Sequence, residues 1–391
     1  VALFAVFVLI VAACGDSTDD TTAAPGGGDT TAAPDTTAGG TDTTAPPETT
    51  AAPASTAGTG GDLLILQWQA PSQANGLLSS GTKDILAASL VLEPLAETAP
   101  DGSLVPALAA EIPTIDNGGV AADFSSITWT LLDGVTWSDG TAFTADDVLF
   151  TFEYCTDELT GCSADFSTVD SVEVVDDLTV KVNFVDPQPF PYADFVGYTE
   201  PIIQRAQFAG CVGEQASACT DQNFAPIGTG PYMVTELRPE DTVNYTFNPN
   251  YRGNAMGEPF FTNVTIKGGG DAEASARSVL EIGEADYAWN LQVAPEILLP
   301  MEGAGNAKII TSFTANVEHI NLNQTDPSID PPSEWMADGS TAHPVLANNP
   351  EFARALSLAI DRDALVQVGY GPTGSPICTL WPVGAQQTTN Q

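Results

Sequence analysis

LLDGVTWSDGTAFTADDVLFTFEY, residues Leu131–Tyr154, is the stretch that decides how this 391-residue chain folds. Glycine and small polar residues from Gly134 to Gly140 predict a turn-rich segment, with Asp139-Gly140 as the turn itself. Thr144-Ala145-Asp146-Asp147 has the form of a capping box. The threonine hydroxyl can accept from the amide three residues on, and the Asp147 carboxylate can reach back. The helix it opens carries Val148, Phe152 and Tyr154. Ile127 to Leu132, just upstream, reads as a strand. Trp137, Asp139, Gly140 and Thr144 are thus read as packing, turn and cap, and not as ligand contacts.

Working outward, Leu63-Leu64-Ile65-Leu66 predicts a buried strand with Trp68 at its end. A loop with Pro71, Asn75 and Gly76 follows. Asp84 to Ala96 reads as a helix with Ile85, Ala88, Ser89 and Leu92 on one face. Val172, Val174, Val180, Val182 and Phe184 alternate around Asp176-Asp177, the pattern of a hairpin with one buried face. Gly228-Thr229-Gly230-Pro231 is a rigid turn. Val243 to Phe247, Val264 to Lys267, Ala285 to Trp289 and His319 to Asn323 read as strands. Ala272 to Glu281 reads as a helix ended by Gly283, which suits the left-handed position after a helix. Pro350 opens a helix with Phe352, Ala355, Leu356, Ala359 and Ile360 at helical spacing. Asp361 can cap another, through Ala364 and Val368. Hairpins and crossovers together predict an α/β class with α+β insertions.

The chain has 51 acidic and 10 basic residues, a net charge of −41. That balance argues against a nucleic-acid partner, which needs a basic face. It also argues against docking on anionic lipid through basic residues. The acidic residues are spread along the chain, which fits a general solubilising bias better than a site for cations. Val1 to Ala13 is apolar but shorter than the roughly 20 residues that span a bilayer. It ends in Val11-Ala12-Ala13-Cys14-Gly15, which resembles a bacterial lipoprotein signal cut before an acylated Cys14. The charged start of such a signal is missing, so a chain truncated at its beginning is expected. Asp16 to Gly61 is almost wholly Thr, Ala, Pro, Gly and Asp, and repeats Thr-Thr-Ala-Ala-Pro loosely. Such a segment buries too little to offset its ordering entropy, and predicts a disordered stalk reaching roughly 40 Å. Cys155 with Cys162, and Cys211 with Cys219, are expected to form local disulfides, as an exported protein permits. Cys378 is left over, and a partner beyond Gln391 is expected. His319 and His343 lack metal-ligand spacing, so no metal or other cofactor is expected.

The Leu131–Tyr154 string resembles the signature of the extracytoplasmic solute-binding proteins, family 5, of ABC importers. Three more stretches carry the resemblance: PIGTGPY at Pro226–Tyr232, NPNYR at Asn248–Arg252 and FARALSLAIDRDALVQVGY at Phe352–Tyr370. It covers essentially everything from Leu63 on. The resemblance implies a periplasmic-binding-protein type II clamp, with two large lobes and a small inserted one. The divisions expected are a signal at 1–13, a stalk at 14–61, and lobe I at 62–100 and 196–318. The inserted lobe is expected at 101–195 and an incomplete second lobe at 319–391. A hinge is expected near Glu318–Asn323.

By the same resemblance, Ser79, Ser80 and Gly81 line the ligand cleft. Trp68, Trp289, Asn290 and Trp381 are candidates to meet ligand there, against core packing as the alternative for each tryptophan. The implied function is capture of a peptide or similar small solute by a lipid-anchored monomer outside the cytoplasm, for delivery to a permease and its ATPase. The alternatives are a ligand sensor or a surface-tethered hydrolase. A hydrolase is disfavoured, because no GxSxG elbow, HExxH or Cys–His arrangement occurs.

Overall fold

The computed structural model describes residues 55–291, 293–310, 319–326, 328, 342–347, 349–371, 374 and 376. They fall into two compact units. One holds the described residues from Ser55 to Ile310 and from Asp363 to Gly374; the other holds those from His319 to Arg362, with Pro376.

In the first unit, β1 (Asp62–Gln67) leads through a long loop to α1 (Thr82–Ser89), then to the short pair β2 (Ala96–Thr98) and β3 (Leu104–Pro106). Next come β4 (Ser126–Thr130), α2 (Ala145–Thr156), β5 (Val169–Asp176) and β6 (Thr179–Phe184). Two short helices, α3 (Arg205–Phe208) and α4 (Thr220–Phe224), precede β7 (Tyr232–Arg238), β8 (Thr242–Phe247) and β9 (Asn263–Lys267). The unit continues with α5 (Ala272–Arg277), β10 (Tyr287–Trp289) and α6 (Pro295–Met301). The second unit holds α7 (Pro350–Ala359); α8 (Arg362–Gly369) follows it in the chain and, from Asp363 on, belongs to the first unit.

The main sheet has the order β10-β1-β9-β8-β7. β1 runs parallel to both β9 and β10, with Gln67 opposite Trp289. Period-two alternation sends Leu63 and Ile65 towards one core, with Leu77, Ala88, Tyr245 and Ile266. The smaller sheet, β4-β6-β5, is antiparallel and packs on a second core around Trp129, Trp137, Val148 and Val182. Both cores draw on α2: Val148 serves the second, while Phe150 and Tyr154 serve the first. The stretch expected as an inserted lobe thus shares a helix with the main-sheet core.

The opening motif folds as its residues suggest. The Asp147 carboxylate accepts from the Thr144 N–H at 3.1 Å, closing the capping box. Gly140 turns at φ 86°, and Asp139 accepts from the Thr141 N–H at 2.9 Å. Trp137 is buried edge-on to Phe143. Gly283 ends the α5 segment at φ 75°.

Other expectations need correction. The first helix stops at Ser89, short of Ala96. The Leu90 and Val91 carbonyls are taken by the N–H groups of Tyr232 and Gly230, at 3.0 and 2.9 Å. A Cβ on Gly228 would stand 1.9 Å from the Val91 oxygen, so only glycine allows this approach. Val174 is 41% exposed, because a bulge between Val174 and Asp176 turns the hairpin end outward. Ala285 and Asp286 precede β10, which starts at Tyr287. His319–Asn323 carries no strand; nearby, Thr325 and Ala342 form an isolated bridge. Ser55–Gly61, read as the end of the stalk, belongs to the fold. The N–H groups of Gly58 and Gly60 donate to Pro259 and Phe260 carbonyls, each at 2.7 Å. The structure pairs Cys155 with Cys162 and Cys211 with Cys219. Residues 1–54, Cys378 and Trp381 lie outside the described residues.

Where the chain returns from the small sheet, Phe195 is fully buried at φ 62°, a conformation that non-glycine residues rarely adopt. The Glu200 carboxylate accepts from the Phe195 N–H at 2.8 Å. Burial, aided by the charges of Asp194 and Asp165 and opposed by that N–H, pushes the Glu200 carboxyl up to about 7. Between its ordinary value of 4.5 and about 7 the folded chain holds a proton that the unfolded chain has released. Stability contributed by this group therefore falls as pH rises through that window. Glu200→Gln should keep the acceptor, melt higher than wild type at pH 8 and show no such advantage at pH 4. Equal melting differences at the two pH values would refute this.

Candidate ligand-binding site

In open sheets of parallel strands, ligands sit outside the carboxyl ends, where side chains and loops converge. Here that edge belongs to β1, β9 and β10. Trp68 follows β1 and is 44% exposed; it is not core. Trp289 closes β10 and is half-buried, and Asn290 follows it, exposed and left-handed at φ 55°. Parallel pairing in register therefore brings Trp68, Trp289 and Asn290 to one sheet edge, although 221 residues separate the tryptophans. Beside this edge, between β1 and α5, lies a depression of about 330 Å³ lined by Leu64, Leu66, Lys267 and Ser275 among others. None of the candidate ligand-contact residues lines it.

Ser79, Ser80 and Gly81 end the loop between β1 and α1, with Ser80 exposed. What shapes this loop is Asp84, in the first turn of α1 and 1% exposed. Its carboxylate accepts from the Ser72 N–H at 2.6 Å, the Ser72 hydroxyl at 2.9 Å and the Ser79 hydroxyl at 2.7 Å. The Lys83 ammonium lies 3.2 Å away. Burial pushes the Asp84 carboxyl up, but the serine N–H and hydroxyls, with Lys83, outweigh it and hold the group below its ordinary value.

A second polar node holds the middle of the loop. Asn75, fully buried, donates to the Asn223 side-chain oxygen at 2.9 Å and accepts from the Leu77 N–H at 3.2 Å. Ser163, next to the Cys155–Cys162 bridge, donates its N–H to the Leu77 carbonyl at 2.7 Å, and its hydroxyl is within reach of the Leu77 and Ser79 carbonyls, at 3.1 and 3.2 Å. Thr160, within that bridge, accepts from the Gly213 N–H at 2.8 Å, inside the span closed by Cys211 and Cys219. The two disulfide spans are thus joined to each other, and Ser163, one residue past the first, makes the contact to the loop. No sequence pattern marks Asp84, Asn75 and Ser163 as the supports of this loop. The one local signal was an acid in the first turn of a helix after a serine-rich loop, and it named no partners.

Among the described residues, no three His, Cys, Asp or Glu side chains gather as a metal site, and no helix is long and apolar enough to cross a membrane.

A family model, bacterial extracellular solute-binding proteins, family 5 Middle, matches residues 103–391. Protein XP55 of Streptomyces lividans is 28% identical over 287 residues, 72% of this chain and 46% of that protein. A putative ABC transporter peptide-binding protein of Brucella ovis is 26% identical over 61% of this chain and 41% of its own. Among solved structures, the ABC transporter substrate-binding protein CtaP of Listeria monocytogenes matches at TM-score 0.52 and 27% identity, over 63% of this chain and 47% of that one. The oligopeptide-binding protein AppA of Bacillus subtilis, in complex with a nonapeptide, shares the fold at TM-score 0.53 and 23% identity, over 67% of this chain and 49% of that one. The chain spans about half the length of these relatives. Its α/β fold is that of the type II periplasmic binding proteins, and the chain belongs to the bacterial extracellular solute-binding proteins, family 5.

Proposed function

We propose that this chain is the capture component of an ABC importer and takes peptides or similar small solutes. The observation that carries the proposal is the pairing of β1 with β10, which brings an exposed Trp68, Trp289 and Asn290 to the carboxyl edge of a parallel sheet. Indole faces with polar edges suit ligands that are part apolar and part hydrogen-bonding. Peptide-binding proteins among its relatives support the same class of ligand. Ser79, Ser80 and Gly81 would meet the ligand main chain, and Trp381 would approach from the second lobe. Residues 101–195 would form the inserted lobe, and closure about a hinge near 318–323 would sequester the ligand. Acylation at Cys14 would hold the protein at the outer face of the membrane, with 14–54 as its tether to a permease and ATPase. It would act as a monomer, without catalysis.

Purification of the full-length protein from its host, with mass spectrometry of co-purified solutes, tests this. A peptide or other small solute should co-purify and raise the melting temperature when added back. Ligand present at 100 times its dissociation constant contributes about 2.7 kcal/mol. Chemical turnover of a solute, with no stabilisation by any, would overturn the proposal.

A further inference from the structure

We propose that Asp84 and Ser163 are positioning residues that pre-shape the Trp68–Gly81 loop for ligand, one from the α1 side and the other from the segment just after the Cys155–Cys162 bridge. This rests on the proposed contact of Ser79–Gly81 with ligand. The geometry is specific to the loop. Asp84 gathers both of its ends, since Ser72 and Ser79 meet on one carboxylate. Lys83 closes the same knot by donating to the Ser72 hydroxyl at 2.8 Å. Ser163 holds the Leu77 carbonyl through its N–H, and its hydroxyl reaches the Leu77 and Ser79 carbonyls on either side of Leu78, so this backbone is held from outside the loop. The sequence separations are 12 residues for Ser72 with Asp84 and 84 for Ser79 with Ser163.

Such an arrangement makes the loop rigid before ligand arrives. A loop of this length would otherwise lose conformational freedom on binding, and ordering it in advance strengthens affinity. Hydrogen bonds to a charged acceptor are also the stronger kind, so Asp84 is the larger contributor of the two. The Cys155–Cys162 bridge matters here because it holds the segment from which Ser163 donates.

Asp84→Asn and Ser163→Ala in the full-length protein separate this from a general stability role. Hydrogen exchange of amides 72–81 should speed up by about tenfold or more in Asp84→Asn, and less in Ser163→Ala, while β8 and β9 exchange as in wild type. Affinity for a mixed nonapeptide pool, used as the probe, should fall by about tenfold in Asp84→Asn. Faster exchange spread over the whole fold, or a loosened loop with wild-type affinity, would overturn the inference. If the wild-type protein binds no peptide, the peptide reading falls instead, and exchange at 72–81 alone decides whether the two residues position the loop. Should Asp84→Asn fail to fold, Ser163→Ala and Ser72→Ala carry the same readouts.

Discussion

Arg252→Met should lower the stability of the fold by about 3–5 kcal/mol, because it leaves a buried carboxylate without its partner. Arg252 ends the NPNYR stretch and forks onto Glu93: Nη1 to Oε2 and Nη2 to Oε1, each at 2.7 Å. Nη2 also donates to the Ala107 carbonyl at 3.2 Å, and the guanidinium lies 5.1 Å from the Tyr251 ring centre. Glu93 is 5% exposed. Burial pulls the Arg252 group down, but Glu93 more than offsets this and holds it above its ordinary value. The pair ties the chain just before β2 to the turn after β8, 159 residues away. Urea unfolding should show a lower midpoint with an unchanged slope. Replacing both partners by apolar residues, Glu93→Leu with Arg252→Met, should recover much of the loss, since no charge is then left buried. A loss below about 1 kcal/mol in the single variant would place the pair with ordinary surface ion pairs and refute the argument.

Asp147→Ala should cost about 3 kcal/mol, from donors that lose one shared acceptor. The Asp147 carboxylate, 6% exposed, accepts from the Trp137 Nε1–H at 3.2 Å, the Thr144 N–H at 3.1 Å and the Arg205 N–H at 3.0 Å. It therefore joins the WSDG turn, the cap of α2 and the start of α3. Burial raises its carboxyl above the ordinary value despite these bonds. Its worth thus lies in accepting hydrogen bonds and not in its charge, and stability drawn from it declines as pH rises above the ordinary carboxylate range. Asp147→Asn, which keeps one acceptor oxygen, should lose less than Asp147→Ala, and the gap between wild type and Asp147→Asn should narrow towards pH 7. Thermal unfolding at pH 4 and pH 7 measures both. A larger loss for the asparagine variant at pH 7 than at pH 4 would contradict the assignment.

The small sheet and α2 were legible because their signals are local. A capping box involves residues three apart, a hairpin joins neighbours in the chain, and Gly283 follows the helix it ends. The edge of α1 was not legible. Leu92 lies at helical spacing from Ser89, yet the turn at Leu90 and Val91 gives its carbonyls to Gly230 and Tyr232, some 140 residues on. Likewise Ser55–Gly61 has stalk-like composition, but contacts with Pro259 and Phe260 hold it.

For the candidate site the division is similar. Trp68, Ser79, Ser80, Gly81, Trp289 and Asn290 were nameable from the sequence, as residues near strand ends and in a loop. That Trp68 and Trp289 share one edge depends on β1 lying between β9 and β10, a pairing set by long-range burial. Trp381 has no described position from which to be judged.

By itself the sequence determined family, class and local elements, since turn chemistry, capping and periodicity act within a few residues and survive any context. Only the tertiary structure decided which groups meet: Asp84 with Ser72 and Ser79, Ser163 with the Leu77 carbonyl, Glu93 with Arg252. Each such contact needs two segments held in place by the packing around them before a bond of 2.6 to 2.9 Å can form, and no local pattern encodes that coincidence.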